Sequence, residues 1–284
     1  MTSPGLLRIV ATPLGNLADL SPRARDALAT ADAIAAEDTR RTGALLARLG
    51  LAKRPLLSYF APQEKAKAGA VLRRLREGAT VALVTDGGTP GVSDPGGHLV
   101  ARAHAEGIRV EPVPGPSAVA LALSVSGEHS GGRFVFEGFP PSRGAARRKR
   151  YAELAAEART VVLYEAPHRL PASLVDLRDV LGPDRRGTVV REATKLHEEI
   201  ATGTLAELAE RFAFGVKGEI VIVVEGSDTP PATEVRLPPE EALGLLVEAG
   251  LSPDRAARVL ARATGLPRGK LTRLAREAGK DPSA

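Results

Sequence analysis

The sequence predicts an α/β protein made of two successive α/β domains followed by a small all-helical tail. Three observations lead there. Short apolar runs alternate with helix-forming segments from Leu6 onward, several of those runs end in Gly/Pro-rich turns, and beyond a polar stretch at 227–233 only helical segments remain. Continuous apolar strands joined by helical crossovers form a parallel sheet covered on both faces. The expected domains are residues 1–128, 129–228 and 229–284, the last being a linker and a basic helical domain resembling a helix-turn-helix.

"LLRIVATP" is the first strand and the turn that ends it. "LSPRARDALATAD" follows as a helix, with Ser21 as N-cap and Pro22 at the first helical position. "DAIAAED" is a second strand, and "TRRTGALLARLG" a helix closed by Gly50. "RPLLSYF" is a third strand, and "QEKAKAGAVLRRLREG" an amphipathic helix ending at Gly78. "TVALVTD", "PGGHLVARAHAEG" and "IRVEPVPG" continue as strand, helix and strand. "GPSAVALALSVSG" is apolar around its whole circumference and is expected to be well buried.

A second unit begins at "GGRFVFEGFPP". Its further strands are "TVVLYEA", "GTVVREA", "HEEIATG" and "EIVIVVEG", and its helices lie in "RGAARRKRYAELAAEA", "HRLPASLVDLRDVLG" and "LAELAERFAF". "SDTPPAT" reads as a linker. Three short helices follow, and the last two are joined by "TGLP" in the manner of a helix-turn-helix. The chain has no internal repeat and no low-complexity tract.

Composition narrows the function. The absence of cysteine removes disulfides, thiolate metal sites and Cys nucleophiles, and agrees with a cytoplasmic home. The five histidines never fall at i, i+4 spacing, so no metal site is expected. No apolar run is long enough to span a bilayer, and no signal peptide is expected at the N-terminus. From Leu251 to the end, eight Lys/Arg face three acids, an excess that matches the net charge of +5 for the whole chain. That local excess suits a polyanionic partner or, equally, a solvated helical face.

The densest signal is "ALVTDGGTPGVSDPGG", with five glycines and two prolines after a buried-looking strand. Glycine allows positive φ and leaves amides uncovered for a ligand. Similar turns at "TPLGN" and "PGPSA" place three such loops at strand ends, where α/β sheets bind ligands. "TPLGNLADLS" lacks the Gly-Lys-Ser/Thr of a phosphate loop and the first helix lacks a G-x-G-x-x-G opening, so a nucleoside without phosphates is expected.

"VATPLGNLADLSPRA", "AAEDTRRTGALL", "DGGTPGVSDPG", "PVPGPSA", "FEGFPP", "YEAPHRL" and "REATKLHEEIATGT" occur in this order. Together they resemble the tetrapyrrole (corrin/porphyrin) methylase superfamily, and within it the small-subunit ribosomal RNA cytidine 2′-O-methyltransferases. The likeness runs from Leu6 to about Gly226, and the tail resembles that branch's small helical domain. Where tetrapyrrole-methylating members typically carry Gly-Asp-Pro, this chain has "TDGGTP", which points away from them. The resemblance implies a parallel first sheet, a mixed second sheet, S-adenosylmethionine in the cleft between them and a homodimer. It implies that Thr12, Pro13, Leu14 and Gly15 form a loop beside the cofactor, and that Asp86, Gly87, Gly88 and Thr89 bracket its methionine end or ribose. Ser117 and Ala118 supply backbone contacts, Tyr164 and Glu165 cover the adenine, and Thr194 and Ile220 complete the set.

A sulfonium methyl is already activated, so catalysis needs orientation and help in deprotonating a weakly nucleophilic ribose hydroxyl. "REATKLHEE" offers Arg191, Glu192, Lys195, Glu198 and Glu199, and "AAEDTRR" offers Glu37, Asp38, Arg40 and Arg41. Glu192, Lys195, Glu199 and Arg40 are the selected catalytic candidates. A lysine of lowered pKa or a carboxylate would be the base, and the competing role for each group is an ion pair between the domains. His168 is expected to cap or pack. Arg143, Arg147, Arg148, Lys149 and Arg150 crowd a helix start, where cations oppose the macrodipole and RNA phosphate would offset the conflict. Arg268, Lys270 and Arg273 on the last helix are the second RNA-binding group, and the expected partner is 16S rRNA within the small ribosomal subunit. With 3% aromatic residues, base stacking cannot dominate RNA binding. Two alternatives remain, a methylase of a tetrapyrrole or other small molecule, and a ligand-sensing helix-turn-helix protein that binds DNA.

Overall fold

The computed structural model describes residues 5–127, 131–228 and 237–278. The chain separates into two compact units, Met1–Pro230 and Pro231–Ala284. The first holds two sheets, treated below as two lobes. The expected 128/129 boundary between them lies outside the described residues, as do residues 229–233 of the linker, His129, Lys280 and Asp281.

The first lobe runs β1 (Leu6–Val10), α1 (Pro22–Thr30), β2 (Ala33–Ala36), α2 (Thr39–Arg48), β3 (Leu56–Ser58), α3 (Glu64–Arg76), β4 (Thr80–Val84), α4 (Gly97–Ala105), β5 (Arg109–Val113) and α5 (Ala118–Ser126). The strands form one sheet in the order β3-β2-β4-β1-β5, and every pairing is parallel. Strand pleating explains the two-sided core. Val81 and Leu83 of β4 face Leu72, Leu75 and Leu99 on one side, whereas Ala82 and Val84, with Ile34 beside them on β2, face Leu28 and Leu46 on the other. Ser21 caps α1 by accepting the Ala24 N–H, as expected, and Asp38 caps α2 by accepting from Arg40 and Arg41.

The topology places a crevice. From β1 the chain crosses β4 to reach β2, and from β4 it crosses β1 to reach β5. The connections leaving these two neighbours therefore diverge, which opens a gap beyond their carboxyl ends. A Thr12–Gly88 bridge spans the base of that gap, with each backbone N–H donating to the other's carbonyl.

The second lobe runs β6 (Phe134–Gly138), α6 (Gly144–Leu154), β7 (Thr160–Glu165), α7 (Leu170–Leu181), β8 (Arg186–Arg191), β9 (Glu199–Thr204), α8 (Leu205–Arg211) and β10 (Ile220–Val224). Its sheet order is β6-β7-β10-β8-β9, parallel only between β6 and β7, so the sheet is mixed as the resemblance implied. One face packs on α6, α7 and α8 through Tyr151, Leu170, Leu174, Leu208 and Phe212. The other face receives α5: Val119 and Ala122 pack against Val162, Val190, Val221 and Val223.

That packing corrects one expectation. Only Val119, Ala122 and Ser126 of α5 are buried, because a single helix lying on one sheet covers one of its faces. Val125 is 39% exposed, and an apolar groove along α5 is lined by Leu123, Phe134 and Phe136.

The second unit contains α9 (Pro239–Glu248), α10 (Pro253–Thr264) and α11 (Arg268–Ala278), packed through Leu243, Ala256, Ala257, Leu271 and Ala275. Gly265 ends α10 in a left-handed conformation (φ 72°), and "LP" leads into α11, giving the expected helix-turn-helix-like pair. Arg268, Lys270 and Arg273 are exposed. No helix among the described residues is long and apolar enough to cross a membrane.

Candidate active site

Between the two lobes lies a cavity of about 410 Å³. That volume falls within the range of ordinary small-ligand pockets. Its first wall comes from the crevice, with Leu14, Asp86, Gly87, Gly88, Thr89, Ser117 and Ala118. The glycines are there because the chain passes too close to itself for side chains. A Cβ on Gly87 would sit 3.3 Å from the Pro13 carbonyl, and Gly88 holds φ 86° with Leu14 at the same distance from its Cβ position. The Thr89 hydroxyl ties this loop to the Pro116 carbonyl, which fixes the two Gly/Pro turns together. Glu64 secures the far end, since its Oε1 accepts from the Gly96 and His98 N–H groups and from the Tyr59 hydroxyl.

The second wall contains Tyr164, Glu165, Ala166, Val190, Ala193 and Glu219. Tyr164 stands edge-on to Phe136 and Phe139, with ring centroids 4.9 and 5.5 Å away. Burial and the nearby Asp94 charge push its phenol up to about 12. The Glu165 side chain is fully buried. Its Oε1 accepts from the Ala166 N–H and from Arg169, while its Oε2 is buried with no hydrogen-bond partner.

Negative charge dominates the interior. Glu37, Asp86 and Asp94 all line the cavity, and burial raises the pKa of each. Asp94 reaches about 6, with the Glu37 and Asp86 charges adding to the effect of burial. Asp86 is oriented from both sides. Its Oδ1 accepts the Asp38 N–H, Arg41 lies 3.2 Å from Oδ2, and its own N–H donates to Glu37. So many partly buried carboxylates near one another favour a cationic ligand.

At the rim, three residues of the second lobe form a closed set. The Lys195 ammonium lies 2.8 Å from Glu192 Oε1 and 3.1 Å from Glu219 Oε2, and the Glu219 N–H donates to the same Glu192 oxygen. The backbone is strained to hold them: Glu192 and Thr194 have φ of 49° and 67°, and Ser93 on the facing loop has 62°. Such angles are uncommon for non-glycine residues and persist only where the surroundings fix them.

A family profile described as Tetrapyrrole (Corrin/Porphyrin) Methylases matches residues 7–209. The chain belongs to that family. It is a methyltransferase. It is 48% identical over 274 residues to "Ribosomal RNA small subunit methyltransferase I" of Xylella fastidiosa strain Temecula1, covering 94% of this chain and 98% of that protein. The protein of the same name from Synechocystis is 44% identical over 281 residues, covering 98% and 99%. Among solved structures, the methyltransferase CobJ superposes with TM-score 0.59 at 21% identity, covering 80% of this chain and 97% of CobJ. Uroporphyrin-III C-methyltransferase from Thermus thermophilus, complexed with S-adenosylhomocysteine, superposes with TM-score 0.57 at 21% identity, covering 78% and 97%.

The methylase cavity fits S-adenosylmethionine chemically. The donor's sulfonium and ammonium match the carboxylates of Glu37, Asp86 and Asp94. Its carboxylate matches the start of α5, where Ser117 and Ala118 line the cavity and no side chain caps the helix. Its amine and hydroxyl donors match the orphaned Glu165 Oε2. When bound, the donor supplies an electrophilic methyl group.

Of the expected cofactor residues, Leu14, Asp86, Gly87, Gly88, Thr89, Ser117, Ala118, Tyr164, Glu165 and Ile220 line the cavity. Pro13, Gly15 and Thr194 do not. Pro13 and Thr12 brace Gly87 and Gly88 from behind, and Ala193 lines the wall in place of Thr194. Gly15 instead seats the Lys195 stem, since a Cβ there would clash with Lys195 Cγ. Val92, Asp94, Phe139, Gly218 and Glu219 were not anticipated. For Asp94 the second acid of "DGGTPGVSDPG" was an available signal.

The catalytic candidates separate. Glu192 and Lys195 stand at the rim, whereas Glu199 is engaged by Arg191 and Arg211, and Arg40 is an exposed partner of Asp38. Lys195 is not a lysine of lowered pKa. Burial lowers its pKa, but the hydrogen bonds it donates to Glu192 and Glu219, with their charges, outweigh this and leave it raised. The basic cluster on α6 is also corrected. Arg147 is 5% exposed and bound to Asp176, Arg148 also reaches Asp176, and Arg150 pairs with Glu137 and Glu153. The anion that offsets the helix dipole for Arg147 and Arg148 is therefore Asp176 on α7. Arg143 and Lys149 are the exposed cations of this segment left without such a partner in the described residues.

Proposed function

We propose that this methyltransferase moves the methyl group of S-adenosylmethionine to 16S ribosomal RNA of the small subunit, at the ribose 2′-oxygen of a cytidine. The observation that carries the reading is similarity to ribosomal RNA small subunit methyltransferase I across nearly the whole chain, helical unit included. The cavity agrees with it. Carboxylates line the interior, which suits a cationic donor and opposes a polycarboxylate such as a tetrapyrrole. A neutral ribose hydroxyl can approach the mouth without that repulsion. Arg268, Lys270 and Arg273 on α11, with Arg143 and Lys149, are exposed cations suited to phosphates outside the cavity.

Within this reading, the residues from Asp86 to Thr89, Ser117 and Glu165 hold the donor. Lys195 and Glu192 order the rim where the ribose arrives. Glu199 and Arg40 are reassigned to ion pairs. The enzyme acts in the cytoplasm as a homodimer, and the open face of α5 with its apolar groove suits a second copy.

The test is incubation with isotopically labelled S-adenosylmethionine and small ribosomal subunits, naked 16S rRNA or duplex DNA, followed by nucleoside mass spectrometry. The reading predicts 2′-O-methylcytidine from the subunit. Label on a base, on DNA or on no nucleic acid would refute it.

A further inference from the structure

We infer that Glu219 is the general base of the reaction, held in place by Lys195 and Glu192. The inference rests on the proposed ribose methylation and assigns the proton's destination within it. The carboxylates of the cavity differ in exposure. The Glu165 side chain is fully buried and Asp86 is 28% exposed, whereas Glu219 is 70% exposed and still lines the cavity. A donor held among the inner acids leaves its methyl to be met from the open side. Glu219 is the lining carboxylate on that side.

Its surroundings argue for a fixed group rather than a loose surface acid. Glu219 Oε2 lies 3.1 Å from the Lys195 ammonium, and its N–H and carbonyl both bond to Glu192. Gly218 before it adopts φ 106°, and a Cβ there would run into the Glu192 side chain. The Lys195 stem lies over Gly15 of the first lobe. The set is thus tied to both walls, although Glu192 and Lys195 do not line the cavity. They are positioning residues. Two of the inner acids are committed elsewhere, Asp86 to the Asp38 N–H and Arg41 and Glu37 to the Asp86 N–H, and Asp94, which has no cation of its own among the described residues, is left to the donor's positive charge.

The 2′-hydroxyl O–H bond breaks and the proton passes to the Glu219 carboxylate. An oxygen lone pair forms the new O–CH₃ bond, the S–CH₃ bond breaks, and its electron pair stays on sulfur as a neutral thioether. Protonated Glu219 then returns its proton to water.

The experiment is single-turnover methylation of small ribosomal subunits by wild type, Glu219→Gln, Glu219→Asp, Lys195→Met and the Glu219→Gln/Lys195→Met double variant, with calorimetric titration of S-adenosylmethionine into each. Glu219→Gln is expected to slow methyl transfer by roughly a hundredfold or more while donor affinity is unchanged. Glu219→Asp recovers part of the rate. Lys195→Met lowers the rate at saturating substrate rather than raising KM, and its effect disappears when Glu219 is already Gln. Undiminished transfer by Glu219→Gln overturns the assignment, and so does a loss explained entirely by donor affinity. A wild type that methylates no ribose oxygen rejects the underlying reading separately, whatever Glu219 does.

Discussion

The two lobes bury carboxylates in opposite ways. In the second lobe, Asp176, which does not line the cavity, is met by two arginines, Arg147 at 2.5 Å and Arg148 at 3.1 Å. In the first lobe, the partly buried Glu37 and Asp94 form no ion pair among the described residues, and Asp86 has only the exposed Arg41. A buried carboxylate with its own cation completes the fold. One that is only partly buried and lacks it remains available to a ligand's positive charge. The difference therefore separates scaffold from donor site.

The largest effect should come from breaking a scaffold pair. Arg147→Ala leaves Asp176 buried and should destabilise the protein by about 3 kcal/mol, toward the low end for such pairs because Arg148 still reaches it. Chemical denaturation would measure this, and donor affinity of the folded fraction should not change. On the other side of the comparison, Asp86→Ala should weaken S-adenosylmethionine binding by roughly a hundredfold with no loss of apo stability. A large stability loss and intact binding would make Asp86 a scaffold residue after all.

Acidification should widen the contrast further. Asp94 has a folded pKa of about 6, above its ordinary value of 3.8, so the folded state takes up its proton first. As pH falls from 7.5 to 5, this group makes the apo protein more stable, and the gain ends below the unfolded pKa. Donor affinity should fall over the same interval, by about tenfold, as one attractive charge is neutralised. Thermal melts and calorimetry at both pH values would show the opposite trends, and parallel trends would remove Asp94 from the donor site.

The smallest effect concerns neither kind of carboxylate. Replacing Arg268, Lys270 and Arg273 together with Ala should leave donor binding intact. It should lower the salt dependence of RNA binding by about one unit for each phosphate no longer neutralised. An unchanged salt slope would return α11 to a solvated face.

Much of this was legible in the sequence. Strand–helix alternation, Ser21 before Pro22, and glycines at the close of α2 and α3 place the elements because local chemistry sets them. The crevice was legible because a bent backbone demands glycine, and the two in "DGGTP" sit where the chain passes close to Pro13 and Leu14. The fate of charges was not legible. "RGAARRKR" looks the same whether its anion is RNA or Asp176, and Asp176 is 29 residues from Arg147 along the chain. Glu219 was hidden in the same way. Its role depends on β10 lying next to β8, which brings it to Glu192 across 27 residues. The extent of α5 burial likewise depended on which surface it met, and an all-apolar helix does not reveal that.

The account turns on where the donor sits. A crystal structure with S-adenosylhomocysteine tests it most directly. The account predicts density between the Asp86–Thr89 loop and the Tyr164–Glu165 wall, with Glu165 Oε2 accepting a hydrogen bond from the ligand. Ligand bound elsewhere on a chain whose cavity stays empty would contradict it.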